Sequence, residues 1–289
     1  MDIEHYPALY AAADRTARSG EAWYVGLTTA DVALVILAAL FGGLSVLGDQ
    51  EQARWLGVAA AVSLAAALIV RFSNRSMHPN REWWDGRAVA ETVKSATWRY
   101  VIRVGPFSGD DADGVFIAQL TDIFKEGVRQ RAELQPVEGN APQITERMLQ
   151  LRAMPFAERR SAYLSGRVRD QIAWYSGRAR LHRRHAALWF WVGVAAQLTA
   201  LAWAIARAAE PIALNLVAFF SSVAAGATAI AQIGRHDELA RSYSYAAQEL
   251  NLFESSLKRS TDEAAFADLV EHTELAISRE HTLWVAKRT

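Results

Sequence analysis

AALWFWVGVAAQLTALAWAIA, residues 186–206, contains no Asp, Glu, Lys, Arg or His. At about 1.5 Å per residue, a helix of this length crosses a hydrocarbon layer of about 30 Å. Three more runs are equally free of charge: PIALNLVAFFSSVAAGATAIA at 211–231, VALVILAALFGGLSVL at 32–47 and WLGVAAAVSLAAALIV at 55–70. They form two pairs, each joined by a short polar stretch holding one arginine, Arg54 in the first and Arg207 in the second. A helix that is apolar on every face needs lipid or a large protein to cover it, and the polar remainder is too thin to cover four. The two shorter runs fit a bilayer through flank snorkelling or local thinning. The expected fold class is an all-α integral membrane protein. It has four transmembrane helices in two hairpins, long cytoplasmic helical extensions and a cytoplasmic helical bundle. Residues 1–135 form a first two-helix unit and 136–289 a second.

Net charge is zero, so the average is uninformative and the distribution carries the signal. Arg71, Arg75, Arg81, Arg87, Lys94, Arg99 and Arg103 outnumber Glu82, Asp85 and Glu91 after the first pair. Before the third run, residues 155–185 hold eight arginines against Glu158 and Asp170. Short loops poor in bases face outward and basic flanks stay inside, so both termini and the long middle segment are expected in the cytoplasm, with the protein multi-pass in the inner membrane. The basic, aromatic stretches adjoin the membrane and suit anionic lipid headgroups, worth about 1 kcal/mol per base; nucleic acid is not an expected partner. Trp23-Tyr24, Trp55, Trp189 and Trp191 stand at run edges, where amphipathic rings favour the headgroup zone. No signal peptide is expected, because polar residues persist up to Asp31.

The absence of cysteine excludes disulfides and thiolate chemistry. No P-loop, Rossmann glycine pattern, HExxH or GxSxG is present, so no catalytic residue and no cofactor is expected. His182 and His185 lie three apart on a helix but among Arg180, Arg183 and Arg184. That setting suits interface histidines rather than a metal. SGDDADG at 108–114 matches a calcium loop poorly and reads as an acidic helix start.

Residues 81–100 place Trp84, Ala88, Glu91, Ser95 and Trp98 on one helical face, and Gly105-Pro106 ends that helix. A helix from about Val115 to Glu133 follows. From Phe156 no proline occurs until Pro211, which predicts one helix of about 50 residues running straight into the third span. Leu239, Tyr243, Ala246, Leu250, Phe253 and Leu257 make an a/d seam, and Ser260 is expected to cap a final helix striped by Phe266, Val270, Thr273, Ile277 and Trp284. Glu91 and Glu249 are candidates to pair with Arg167 or Arg169 and fix how helices dock.

In the last span, Asn215, Ser222 and Gly226 share one side, and Ser221, Thr228 and Gln232 another; Gln197 and Thr199 stand in the third span. Polar side chains in a span either cross-link helices or face water. Small residues four apart predict close helix packing.

The halves repeat. Ala22-Trp23-Tyr24 precedes the first span and Ala173-Trp174-Tyr175 precedes the third, 151 residues later and in the same orientation. Arg167-Val-Arg-Asp-Gln171 with Trp174-Tyr175 ahead of a hairpin resembles the start of a SLATT domain. Trp84-Asp-Gly-Arg87-Ala-Val-Ala-Glu91 with Trp98-Arg-Tyr100 and Pro106-Phe107 resembles the post-hairpin helix of another subtype of the same family. Together the two matches span nearly the whole chain as fused copies. The resemblance implies a two-transmembrane effector of prokaryotic nucleotide-signalling conflict systems. Such an effector would assemble as a homo-oligomer and permeabilise the membrane when a sensor protein or nucleotide second messenger triggers it. The alternative is a non-conducting membrane scaffold that recruits a partner through its helical bundle.

Overall fold

A computed structural model of the chain describes residues 5–46, 49–129, 133–136, 141–210, 214 and 216–286, with side chains up to 278. Every regular element among these is helical. Helix α1 (Ala8–Leu44) passes without a break from its Ala-rich start through the first apolar run. Asp49 caps α2 (Gln50–Met77) by accepting from the Gln52 amide at 2.8 Å. A single residue, His78, then adopts a left-handed conformation (φ 48°) before α3 (Pro79–Val101) begins. Proline suits a helix start, where its missing N–H would have no partner.

The turn Gly105–Phe107 leads to α4 (Ala112–Arg129), whose start lies three residues earlier than the sequence spacing suggested. Asp113 occupies its first turn, where a carboxylate favours the positive end of the helix dipole. Then come α5 (Glu146–Ala153), capped by Thr145, and α6 (Phe156–Tyr163). Residues Leu164–Arg169 form a π-helical stretch and α7 (Asp170–Ala209) continues from it, so the expected long helix is present as 54 residues over Phe156–Ala209. Helix α8 (Val217–Ile233) is followed by Gly234 and, as at His78, a left-handed non-glycine, Arg235 (φ 44°), before α9 (His236–Arg259). The returning helix of each hairpin therefore ends in the same way. The last helix, α10 (Glu263–Ala286), is capped by Asp262, which accepts from Ala265 N–H at 2.8 Å, rather than by Ser260. Asp262 immediately precedes the first helical residue, and the Ser260 hydroxyl donates to its carbonyl instead.

The chain divides into two compact units that ignore its linear order. The polar unit draws on Met1–Glu21, Pro79–Ala179 and Arg241–Thr289, and the apolar unit on Ala22–His78 and Arg180–Ala240.

The polar unit has an aromatic core. Tyr100 stacks on Phe116 at 4.6 Å between ring centroids, Phe107 meets both edge-on, and Tyr163 packs against Trp98 and Phe266. Glycine lets two helices touch here: a Cβ on Gly86 of α3 would lie 2.8 Å from the Ala17 nitrogen of α1. Along α9, Tyr243, Leu250 and Leu257 of the expected seam are buried within the chain.

In the apolar unit the described parts of the four charge-free runs lie for the most part on helices long and apolar enough to cross a membrane, the fourth from Val217 onward. Trp55, Val62, Leu68, Ile69, Phe190, Trp191, Leu198, Leu201 and Ile205 are each more than half exposed. Such an apolar surface requires lipid around it, and the chain is an all-α membrane protein. Small residues line the inner contacts. Ala196 and Ala200 of α7 and Ala224 and Ala227 of α8 are buried, and Gly193 faces Ala227. Close backbone approach of this kind replaces the hydrophobic drive that lipid removes. At one end of this hairpin, Trp203 Nε1 donates to the Leu214 carbonyl at 3.1 Å.

Candidate functional site

Arg167 sits in the π-helical stretch and is wholly buried. Its Nε donates to Glu274 Oε1 at 3.0 Å and its Nη2 to Oε2 at 2.7 Å, a two-pronged fit between guanidinium and carboxylate. Glu91 of α3 closes in on its third nitrogen at 3.7 Å. Tyr163 donates to Glu274 Oε1 at 2.9 Å. Burial alone would lower the arginine pKa, but the charge and hydrogen bonds of Glu274, with Glu91, reverse this and raise it above the ordinary value. The group is cationic at every physiological pH.

Around this centre, Trp98 is buried and donates from Nε1 to the Tyr6 hydroxyl at 2.9 Å. Burial pushes the Tyr6 phenol up to about 12. Tyr100, also buried, donates to Asp113 at 2.5 Å and carries Arg152 4.7 Å from its ring centroid. Gln171 is buried one turn beyond Arg167.

A second group forms where α7 meets α3 and α9 within the polar unit. The Arg87 guanidinium carbon lies 4.6 Å from the Trp174 ring centroid and that of Arg178 lies 5.5 Å from it, an attraction between cation and π-face. Tyr243 meets both Trp174 and Tyr175 ring to ring. Trp84 stacks on Trp83 at 4.5 Å. The motif residues thus fall into two groups, with Trp98, Glu91 and Arg167 around the ionic core, Gln171 buried one turn beyond it, and Arg87, Trp174 and Tyr175 in the aromatic one.

The expected pairing of Glu91 with Arg167 is present. Arg169 turns to Glu254 at 2.6 Å, which Lys258 also approaches at 2.7 Å; Glu249 lies half-buried on the preceding turns of the same helix. Sequence reasoning missed Glu274, the strongest partner of Arg167. Its place within the apolar stripe of α10, four residues after Val270 and three before Ile277, was the available signal, because a carboxylate inside such a stripe needs a buried partner.

The polar residues of the spans separate by position. Gly226 is buried, and a Cβ there would lie 2.8 Å from Val32 Cγ1 of α1. Ser222 is half-buried. Ser221, Thr228 and Gln232 of α8 and Gln197 and Thr199 of α7 are exposed. Thr228 returns its hydroxyl to the Ala224 carbonyl at 3.0 Å and Thr199 to Ala195 at 2.8 Å. Asn215 lies outside the described residues. At the edge of the first hairpin, Arg71 donates to Asp31 at 3.0 Å and Asn74 to Thr28 at 3.4 Å.

The model of SMODS and SLOG-associating 2TM effector domain 3 matches residues 7–160, and that of SMODS and SLOG-associating 2TM effector domain 1 matches residues 163–284. No curated protein and no solved structure matches the chain. The ionic core takes Glu91 and Trp98 from the first matched segment and Arg167 and Glu274 from the second, so the two domains are joined through buried charge.

Proposed function

Because this chain belongs to the SMODS and SLOG-associating 2TM effector domain family, with two such domains in tandem and therefore a membrane effector, we propose that it assembles with copies of itself and opens a pore. The observation that carries this reading is the exposure of Ser221, Thr228, Gln232 and Gln197 on helices that otherwise show lipid-compatible surface. A polar side chain facing hydrocarbon is costly, and either a neighbouring copy or a water-filled path would remove that cost. None of these residues is charged, so the pore discriminates weakly among ions. The protein resides in the inner membrane with its termini and polar unit in the cytoplasm. There a sensor protein or nucleotide messenger acts on the polar unit and releases the spans. The chain acts without catalysing a reaction.

The test is reconstitution of purified protein into phospholipid vesicles holding a self-quenched dye. Dye release that falls with Ser221→Leu, Thr228→Leu or Ser222→Leu supports water-facing side chains. Vesicles that remain tight while the polar unit captures a partner would favour a recruiting scaffold. Mass photometry in nanodiscs reads the subunit number directly.

A further inference from the structure

Three imidazoles meet in the apolar unit beside its second hairpin. His182 and His185 lie one turn apart on α7, just ahead of residues 186–206, and His236 is the first residue of α9. Ring centroids of His182 and His236 are 5.1 Å apart, and those of His185 and His236 are 5.2 Å apart. The Nδ1 atoms of His182 and His236 approach to 2.9 Å. At that separation one nitrogen donates a proton and the other supplies a lone pair. A protonated imidazole has no lone pair to supply. The contact therefore requires at least one neutral ring.

The surrounding charges weigh against adding protons. On α7 His182 and His185 are interleaved with Arg180, Arg183 and Arg184. At the start of α9, Arg235 is held by Glu238 at 2.9 Å, which leaves Asp237 as the acid favouring a charged His236. Burial first, and then His185, hold the His236 pKa below the ordinary histidine value. A hydrogen bond between two imidazole nitrogens is lost when both are protonated, so the proton is the ligand this arrangement suits.

The backbone gives the contact leverage. His236 directly follows Arg235, whose left-handed φ of 44° is uncommon for a non-glycine residue and persists where surrounding contacts enforce it. Losing the ring contact removes one of those contacts.

We propose that His182, His185 and His236 form a proton-operated latch at the turn between α8 and α9, shut while His182 and His236 share one hydrogen bond and released when acid charges both rings. The sign follows from linkage. A histidine whose folded pKa lies below its unfolded value of about 6.5 contributes its full stabilisation above that pH and loses it as pH falls toward the folded value. The latch accordingly opens on acidification below about 6.5. It stands whether or not the spans conduct.

Hydrogen exchange at the backbone amides of residues 232–240 tests this in the full-length protein in nanodiscs, at about pH 8 and about pH 5.5, with rates corrected for intrinsic chemistry. Wild type should exchange roughly tenfold faster in acid, reflecting a local opening about 1.4 kcal/mol easier, and His182→Gln, which keeps a neutral partner, should show a clearly smaller ratio. A wild-type ratio within about twofold, or an undiminished ratio in His182→Gln, overturns the proposal. Should that variant fail to fold, ¹⁵N imidazole spectra of the wild type decide. Loss of the unprotonated Nδ1 signal of the pair together with faster exchange upholds the latch, and loss without faster exchange refutes it.

Discussion

Arg167 and Glu274 meet through two parallel hydrogen bonds of 3.0 and 2.7 Å, the arginine fully enclosed and the glutamate 3% exposed. A pair so placed gains little over well-packed apolar residues, because desolvating two charges offsets most of their attraction. Removing one partner alone strands the other without water. The pair therefore specifies where helices dock more than it adds net stability.

Arg167→Met should lower stability by about 3–5 kcal/mol, since Glu274 would remain as an uncompensated buried acid beside the partly buried Glu91. Arg167→Met combined with Glu274→Leu should recover a large part of that loss. Thermal melting of wild type, Arg167→Met, Glu274→Leu and the combined variant in detergent, treated as a double-mutant cycle, reads the coupling. A loss in the double variant equal to the sum of the two single losses would show that the two charges act independently.

Tyr6→Phe should cost about 1–3 kcal/mol by leaving the buried Trp98 N–H without its acceptor. The same residue governs alkaline behaviour. With its pKa raised to about 12 by burial, the protonated phenol contributes stability in full below about 10 and loses it as pH rises toward 12. Over that window the stability of the wild type should fall with a slope steeper by one proton than that of Tyr6→Phe, as read by denaturant midpoints across pH.

Gly86→Val should destabilise more than Gly226→Val. A Cβ on Gly86 would meet Ala17 and Ala13 backbone atoms at 2.8 and 2.9 Å, which cannot move without shifting a helix, whereas Gly226 faces the side chains of Val32 and Ile36. Overpacking of this kind costs about 1–3 kcal/mol, and more where nothing can yield. Monodisperse elution after mild heating compares the two variants directly.

Arg87→Gln should cost about 0.5–1 kcal/mol, the typical strength of a guanidinium over an indole face. Arg87→Lys should recover only part of this, because an ammonium cannot lie flat against Trp174. Tryptophan emission in Trp174→Leu, measured against wild type with and without each Arg87 change, isolates the contact.

The spans were legible because charge is nearly prohibitive in hydrocarbon, so four uncharged runs admit one reading. The repeated Ala-Trp-Tyr triplets were also visible, and Glu91 with Arg167 was one of several pairings that the residues left open. Three things were not visible. Glu274 was passed over because its neighbours Val270, Thr273 and Ile277 made a plausible apolar stripe without it. His236 lies 54 residues from His182, and local periodicity carries no information about a partner that far along the chain. The polar unit is assembled from the start, middle and end of the sequence, whereas a boundary at 135 assumes that chain neighbours pack together.

The six π-helical residues Leu164–Arg169 close their ladder one residue wider than an α-helix does. The surplus residue offsets the angular phase of α7 from that of α6, by about 100° at ordinary helical pitch. Tyr163 and Arg167 are thereby timed to one set of neighbours and Trp174 and Tyr175 to another along a single unbroken rod. Deleting Ser165 would restore a regular ladder and misalign every downstream side chain by that rotation while leaving the helix itself intact.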